Sequence, residues 1–159
     1  MKKLFVLIAV ATLVLSACSS KGTTTTTEAK TSVKDILYSA TGSDAGQSGD
    51  LRTVNFEYDK SALSTVAKAI LKTNAEWLKA NSNIKIQIEG HCDSKGTIEY
   101  NIALGEKRAI TVEKYLIALG IKKDRISTIS FGKEKPLDSA ETEEAWAKNR
   151  RANFVIVEK

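Results

Sequence analysis

A chain of 159 residues with 24 Lys and Arg against 19 Asp and Glu carries a formal charge of +5, room for one domain of typical size and a tail. That basic bias is weak and is not interleaved with aromatics, so it gives no support to nucleic-acid binding. One histidine and two cysteines leave little material for metal or thiol chemistry.

Lys2 and Lys3 precede an apolar run from Leu4 to Leu15. The run is too short to cross a bilayer as a helix, and 1–17 reads as a secretory signal peptide. Leu15-Ser16-Ala17-Cys18 follows and resembles the lipobox of bacterial lipoproteins. The resemblance implies that Cys18 becomes the first mature residue and is acylated, each buried CH₂ adding roughly 0.8 kcal/mol of membrane affinity. The alternative is an ordinary cleaved signal with an incidental cysteine. Ser19 stands where lipoproteins kept in the inner membrane often carry Asp, which implies an outer-membrane destination. Without Lys2 and Lys3 the chain keeps 22 basic residues against 19 acids, a charge of +3. With Cys18 acylated, Cys92 has no partner in the chain, and no internal disulfide is expected.

From Ser19 to Asp50 the chain is rich in Ser, Thr, Gly and Lys, including the run Thr23 to Thr27, and lacks the apolar mass for a core. Residues 18–50 are therefore read as a lipidated flexible tether. Such a segment stretches to about 100 Å and averages about 30 Å end to end. Val33-Lys34-Asp35-Ile36-Leu37-Tyr38 is an exception: it docks on a partner or on the domain, or is an incidental apolar patch.

The folded domain is placed at 51–159. Val54, Phe56 and Tyr58 alternate with polar residues as a half-buried strand. Ser61 is expected to cap a helix with Leu63, Val66, Ile70, Trp77 and Leu78 on its apolar face, broken at Asn81-Ser82-Asn83. A strand with Ile84, Ile86 and Ile88 on one face leads into a loop, Gly90 to Gly96. A long helix runs from about Thr97 to Leu119 and stops at Gly120. Strand Ile126 to Phe131, a short helix near Glu141 to Lys148 and a last strand Ala152 to Val157 complete the chain. This βαβαβ(α)β order predicts an α+β two-layer sandwich, a mixed four-stranded sheet with helices packed on it.

At about 100° per residue, Ile102, Gly105, Ala109, Val112, Leu116 and Leu119 share the face of the second helix turned to the sheet. Asn101, Leu104 and Arg108 fall on its rim, where a side chain is held by packing yet reaches solvent. Asp93 lies in the loop ahead of that helix, a common place for ligand sites. An acid and a guanidinium facing one cleft suit a zwitterionic ligand, the guanidinium gripping a carboxylate with two parallel hydrogen bonds. Spacing alone favours the plainer reading, in which Asp93 and Arg108 pair with each other or face water.

Several blocks settle on one resemblance: Gly90-His91-Cys92-Asp93-Ser94-Lys95-Gly96-Thr97, Glu99-Tyr100-Asn101, Leu104-Gly105-Glu106-Lys107-Arg108-Ala109, Ser130-Phe131-Gly132-Lys133-Glu134-Lys135-Pro136 and Asn149-Arg150-Arg151-Ala152. Together they look like the OmpA-like peptidoglycan-binding domain, and within that family the lipid-anchored, peptidoglycan-associated branch. The resemblance covers Leu51 to Lys159. It implies that Asp93 and Arg108 recognise diaminopimelate of the wall peptide, with Asn101 and Arg150 assisting. Asp59 matches a family aspartate, and Gly96, Thr97 and Leu104 lie within the matching blocks. Lys107 stands where many relatives have Arg. It further implies a non-enzymatic tie between outer membrane and wall, with the domain facing the periplasm, no cofactor, and TolB and other Tol-Pal proteins as partners.

His91 beside Cys92 suggests a metal site or nucleophile, but neither has the further ligands or orienting group it needs, and a structural strand-end pair is expected. Trp77 is assigned to the core; Trp146 is open between core and sugar stacking. Lys148, Arg150 and Arg151 form either a solvated face or, for Arg150, part of the site. A wall-cleaving enzyme needs a metal centre, a nucleophile or positioned acids. A flagellar stator-like protein shares this domain but carries a transmembrane helix with a buried acid.

Overall fold

The computed structural model describes residues 41–158. The signal peptide, Cys18 and the segment 33–38 lie outside the described residues. Seven elements follow in order: β1 (Val54–Asn55), α1 (Thr65–Ala80), β2 (Lys85–His91), α2 (Ile98–Ala118), β3 (Ile126–Gly132), α3 (Glu143–Asn149) and β4 (Arg151–Glu158). The sheet order is β1-β4-β2-β3. β4 runs antiparallel to both β1 and β2, while β2 and β3 are parallel. A parallel pair needs a crossover, and α2 supplies it. The expected mixed four-stranded α+β architecture is the one observed.

One face of the sheet carries the core. Register places Ile86 opposite Ile156 and Ile88 opposite Phe154, and Ile86, Ile88 and Phe154 pack with Leu71 and Leu78 of α1 and with Ala109, Val112 and Leu116 of α2. Gly90 and Gly105 let α2 lie directly on β2: a Cβ on Gly90 would stand 1.9 Å from the Gly105 carbonyl oxygen. Local signals set the helix ends. Ser64 Oγ accepts from the Ala67 N–H, Thr97 Oγ1 from Tyr100 and Thr142 Oγ1 from Ala145.

The elements differ in detail from expectation. Ser64, not Ser61, caps α1, which shifts its buried face to Ala67, Leu71, Asn74, Ala75 and Leu78 and leaves Val66 70 % exposed. β1 shrinks to two residues because the chain turns away at the following residues, so Phe56 stays buried while Tyr58 is exposed. β2 continues through Gly90 and His91, which are strand rather than loop. Ile102 of α2 is exposed and Asn101 is buried, so the buried face is rotated towards Asn101 and Arg108.

The domain also begins earlier than Leu51. A 3-10 turn at Gly42–Ala45 lies against β4, on the sheet face opposite the core. Arg151 Nε donates to Asp44 at 2.7 Å, and both side chains are buried. Asn153 Nδ2 donates to the Thr41 carbonyl at 3.1 Å, and Ser48 Oγ to the Phe154 carbonyl at 2.7 Å. The tether reading therefore loses residues 41–50, whose polar side chains are spent satisfying buried polar groups of β4. Arg151 is accordingly no part of a solvated face.

Candidate functional site

Past the end of β2 the Cys92 N–H donates to the Gly132 carbonyl at 2.7 Å, which carries strand pairing one residue further and sets the buried Asp93 in the wall of a cleft. Gly96, at φ +89°, then turns the chain into the Thr97 cap of α2. Asn101 fastens this loop, its Nδ2 donating to the Lys95 carbonyl at 2.8 Å and the Thr97 carbonyl at 2.9 Å. The cleft so formed has a volume of about 140 Å³. Asp59, Asp93, Gly96, Asn101, Leu104 and Arg108 line it together with Tyr58, Lys95 and Tyr100.

Six of the eight residues expected at the ligand site thus meet in one cleft. Thr97 stands outside as the helix cap, and Arg150 lies behind Asp93, with Nη1 3.2 Å from its carboxylate. The structure also resolves how Asp93 is held: it pairs with Arg150, and not with Arg108. Arg150 reaches Glu143 on its other side at 2.7 Å and the Phe56 carbonyl at 3.2 Å. Burial alone would lower the guanidinium's proton affinity, yet the hydrogen bonds to Glu143 and Asp93 raise its pKa.

Arg108 corrects the rim assignment, for it is fully buried. Its Nε donates to the Lys60 carbonyl at 2.9 Å, one Nη1 hydrogen to the His91 carbonyl at 2.8 Å and the other to Cys92 Sγ at 3.4 Å, and Nη2 to the Glu57 carbonyl at 3.2 Å. Four of its five N–H groups are committed, so the two-pronged grip on a ligand carboxylate is not open in this arrangement. Desolvation lowers its pKa. Arg108 nonetheless lines the cleft.

Asp59 is a non-glycine residue at φ +55°. Backbone in that region costs of order 1 kcal/mol and persists where surrounding contacts enforce it. Here the Tyr100 hydroxyl donates to its carboxylate, which raises the tyrosine pKa. Lys95 was not anticipated. Its ammonium sits over the Trp146 ring at 3.7 Å and the Tyr58 ring at 5.0 Å. Trp146, on α3, in turn donates from Nε1 to Ser94 Oγ at 3.0 Å, which ties α3 to the site loop. Trp77 packs against the core as expected. The signal for Lys95 and Tyr100 was present, since both stand inside the matching blocks, but a loop lysine carries no periodicity. Tyr58 was misplaced on a buried strand face.

His91 is buried and stacks on Phe131 with centroids 5.6 Å apart; its Nε2 lies 3.6 Å from Glu89. Beside it Cys92 is a buried free thiol whose pKa burial pushes up to about 11. No group of three His, Cys, Asp or Glu is placed to hold a metal among the described residues, and no helix among them is long and apolar enough to cross a membrane.

Residues 55–150 match the OmpA family. The chain is 38 % identical to the peptidoglycan-associated lipoprotein of Pseudomonas putida over 94 % of both chains. The chain belongs to the OmpA family, among its peptidoglycan-associated lipoproteins. A second such lipoprotein, from Rhizobium meliloti, is 38 % identical over 92 % of this chain and 84 % of the relative. The crystal structure of the Burkholderia pseudomallei peptidoglycan-associated lipoprotein, 40 % identical, superposes with a TM-score of 0.64 and covers 66 % of this chain and 89 % of that one. The C-terminal domain of Helicobacter pylori MotB shares the fold at 21 % identity, TM-score 0.63, covering 67 % and 84 %. OmpA-like domains of this kind are binding modules, and the chain is not an enzyme.

Proposed function

We propose that this chain is an outer-membrane lipoprotein, anchored through Cys18, whose domain holds peptidoglycan non-covalently by the free end of diaminopimelate and so ties membrane to wall. The observation that carries this reading is the presence of both acids and cations in the lining of one small cleft. Asp59 and Asp93 line it as acids, Lys95 and Arg108 as bases. The free end of diaminopimelate is an ammonium and a carboxylate on one carbon, a small zwitterion that such a cleft suits: the acids accept from the ammonium while the cations face the carboxylate. Asn101 and Arg150 assist indirectly, the first by fastening the loop and the second by holding Asp93. Leu104 offers the apolar wall against which the ligand's methylenes rest.

The 1–17 signal peptide and the tether from Cys18 belong to the same reading, since a domain that reaches from a membrane to a nearby polymer needs both anchor and slack. Family membership supports the Tol-Pal system as the setting and TolB as a protein partner. The test is incubation of the purified chain with intact sacculi. Intact protein in the pellet with no soluble muropeptides supports the binder; muropeptides released into the supernatant, or protein that stays soluble, contradict it.

A further inference from the structure

Two cations face the cleft, and the structure treats them differently. Arg108 is sealed in the interior with one N–H to spare, three of its bonds going to backbone carbonyls. Lys95 is exposed, lines the same cleft, and has no carboxylate within ion-pair distance among the described residues. What holds it is two ring faces, Trp146 at 3.7 Å and Tyr58 at 5.0 Å from the ammonium. Ring faces position a cation without neutralising it and without accepting all of its N–H bonds, so the charge and donors stay available to an oxygen. They also remove much of the rotamer freedom that a surface lysine loses on gripping a ligand. The Trp146 ring is itself tied down, its Nε1 donating to Ser94 Oγ and Ser94 donating to Glu141 at 2.7 Å, while Lys133 Nζ fastens the loop through the Gly96 carbonyl at 2.6 Å. A lysine pre-set against two aromatics, without a carboxylate partner, on a cleft whose other cation is spent on the fold suits a ligand carboxylate.

We infer that Lys95 is the residue that takes the free carboxylate of the wall peptide, and that through it the site distinguishes a wall whose diaminopimelate carboxyl is free from one in which it is amidated. Arg108 then acts as the strut that shapes the inner wall and lends its single uncommitted N–H. A carboxamide presents to Lys95 a neutral oxygen and an N–H₂ with no acceptor opposite, so amidation removes a charge-assisted bond without offering another.

The inference rests on the proposed wall-binding reading, and the experiment separates the two. The full-length chain in detergent is titrated calorimetrically with L-alanyl-γ-D-glutamyl-meso-diaminopimelate and with the same tripeptide carrying a carboxamide at the free end. Wild type is expected to prefer the acid roughly tenfold. Lys95→Met keeps the unbranched stem against the rings and should bind both peptides alike, with unchanged melting; Lys95→Arg should restore most of the preference. A purely structural lysine would not move the ratio of the two affinities. Preference retained in Lys95→Met, or absent from wild type while both peptides bind, overturns the role of Lys95 and leaves the cleft standing. Failure of wild type to bind either peptide overturns the wall-binding reading itself.

Discussion

Arg150 and Asp93 form an ion pair at 3.2 Å with side chains only 7 % and 6 % exposed, so the acid expected to greet the ligand is also half of a desolvated pair. Replacing Asp93 by Ala therefore strips a partner from a buried cation as well as a contact from the ligand. Glu143 remains to Arg150, which tempers the loss. Thermal and urea unfolding of Asp93→Ala should show about 1–3 kcal/mol of destabilisation, below the 3–5 typical of a wholly orphaned charge. Unchanged stability would mean that the pair is not held in solution.

Arg108 sharpens the same point. The rim position expected from the helical wheel predicts a fold indifferent to Arg108→Ala, whereas the buried guanidinium predicts the reverse. The substitution leaves the Lys60, His91 and Glu57 carbonyls without their donor. The bond to His91 is buried and those to Lys60 and Glu57 are part-buried; a buried group left unsatisfied costs about 1–3 kcal/mol, a part-buried one less, and the cavity adds to that. Denaturant titration should show a loss of at least about 3 kcal/mol, and Arg108→Lys, with fewer donors and no fork, should recover only part of it.

The Asp44–Arg151 pair, at 2.7 Å with 1 % and 0 % of the side chains exposed, makes the turn at 42–45 part of the domain. Asp44→Ala takes the carboxylate from a fully buried cation, a loss of up to about 3–5 kcal/mol, tempered by the bonds that Arg151 keeps to the Asn149 and Lys135 carbonyls. A chain cut to 51–159 should melt well below one cut to 41–159. Equal melting temperatures would restore the boundary at Leu51.

Cys92 supplies a pH dependence. Its thiol is raised from 9.0 to about 11 by burial. A folded-state pKa above the unfolded value means that the native state holds the proton more tightly. The stabilisation is complete below about pH 9 and is lost as the pH rises towards 11. Cys92→Ala should flatten part of the fall in unfolding free energy across that window, measured by urea titration at a series of pH values. In the native chain the thiol should resist iodoacetamide at pH 8, because the thiolate is the nucleophile.

How far the sequence reached follows from what each signal encodes. α2 was legible nearly to the residue because its ends carry a threonine cap and a glycine at φ +96°, both local features. The core stripes of β2 and β4 were legible because period-two alternation reports a face directly. Depth was not: a helical wheel gives the direction of Arg108, while its burial depends on carbonyls of Glu57 and Lys60, about fifty residues away and brought near by the fold. Ser61 and Ser64 both precede an apolar run, and only packing chose between them. The clustering of Asp59, Asp93, Asn101, Leu104 and Arg108 came from family blocks, which report position without contact. For that reason the partner of Asp93 and the part played by Lys95 had to await the coordinates.

If the cleft at the start of α2 is where the wall is held, Leu104 gives the most direct access to it. Leu104 is partly exposed, lines the cleft and lies outside the buried core. Leu104→Trp should fill the space without removing a buried hydrogen bond. Co-sedimentation with intact sacculi, measured for the full-length wild type and this variant alongside thermal melting, should show at least a roughly tenfold weaker association for the variant at an essentially unchanged melting temperature. Wild-type association by a folded Leu104→Trp chain would contradict the claim and place the wall on another surface of the molecule.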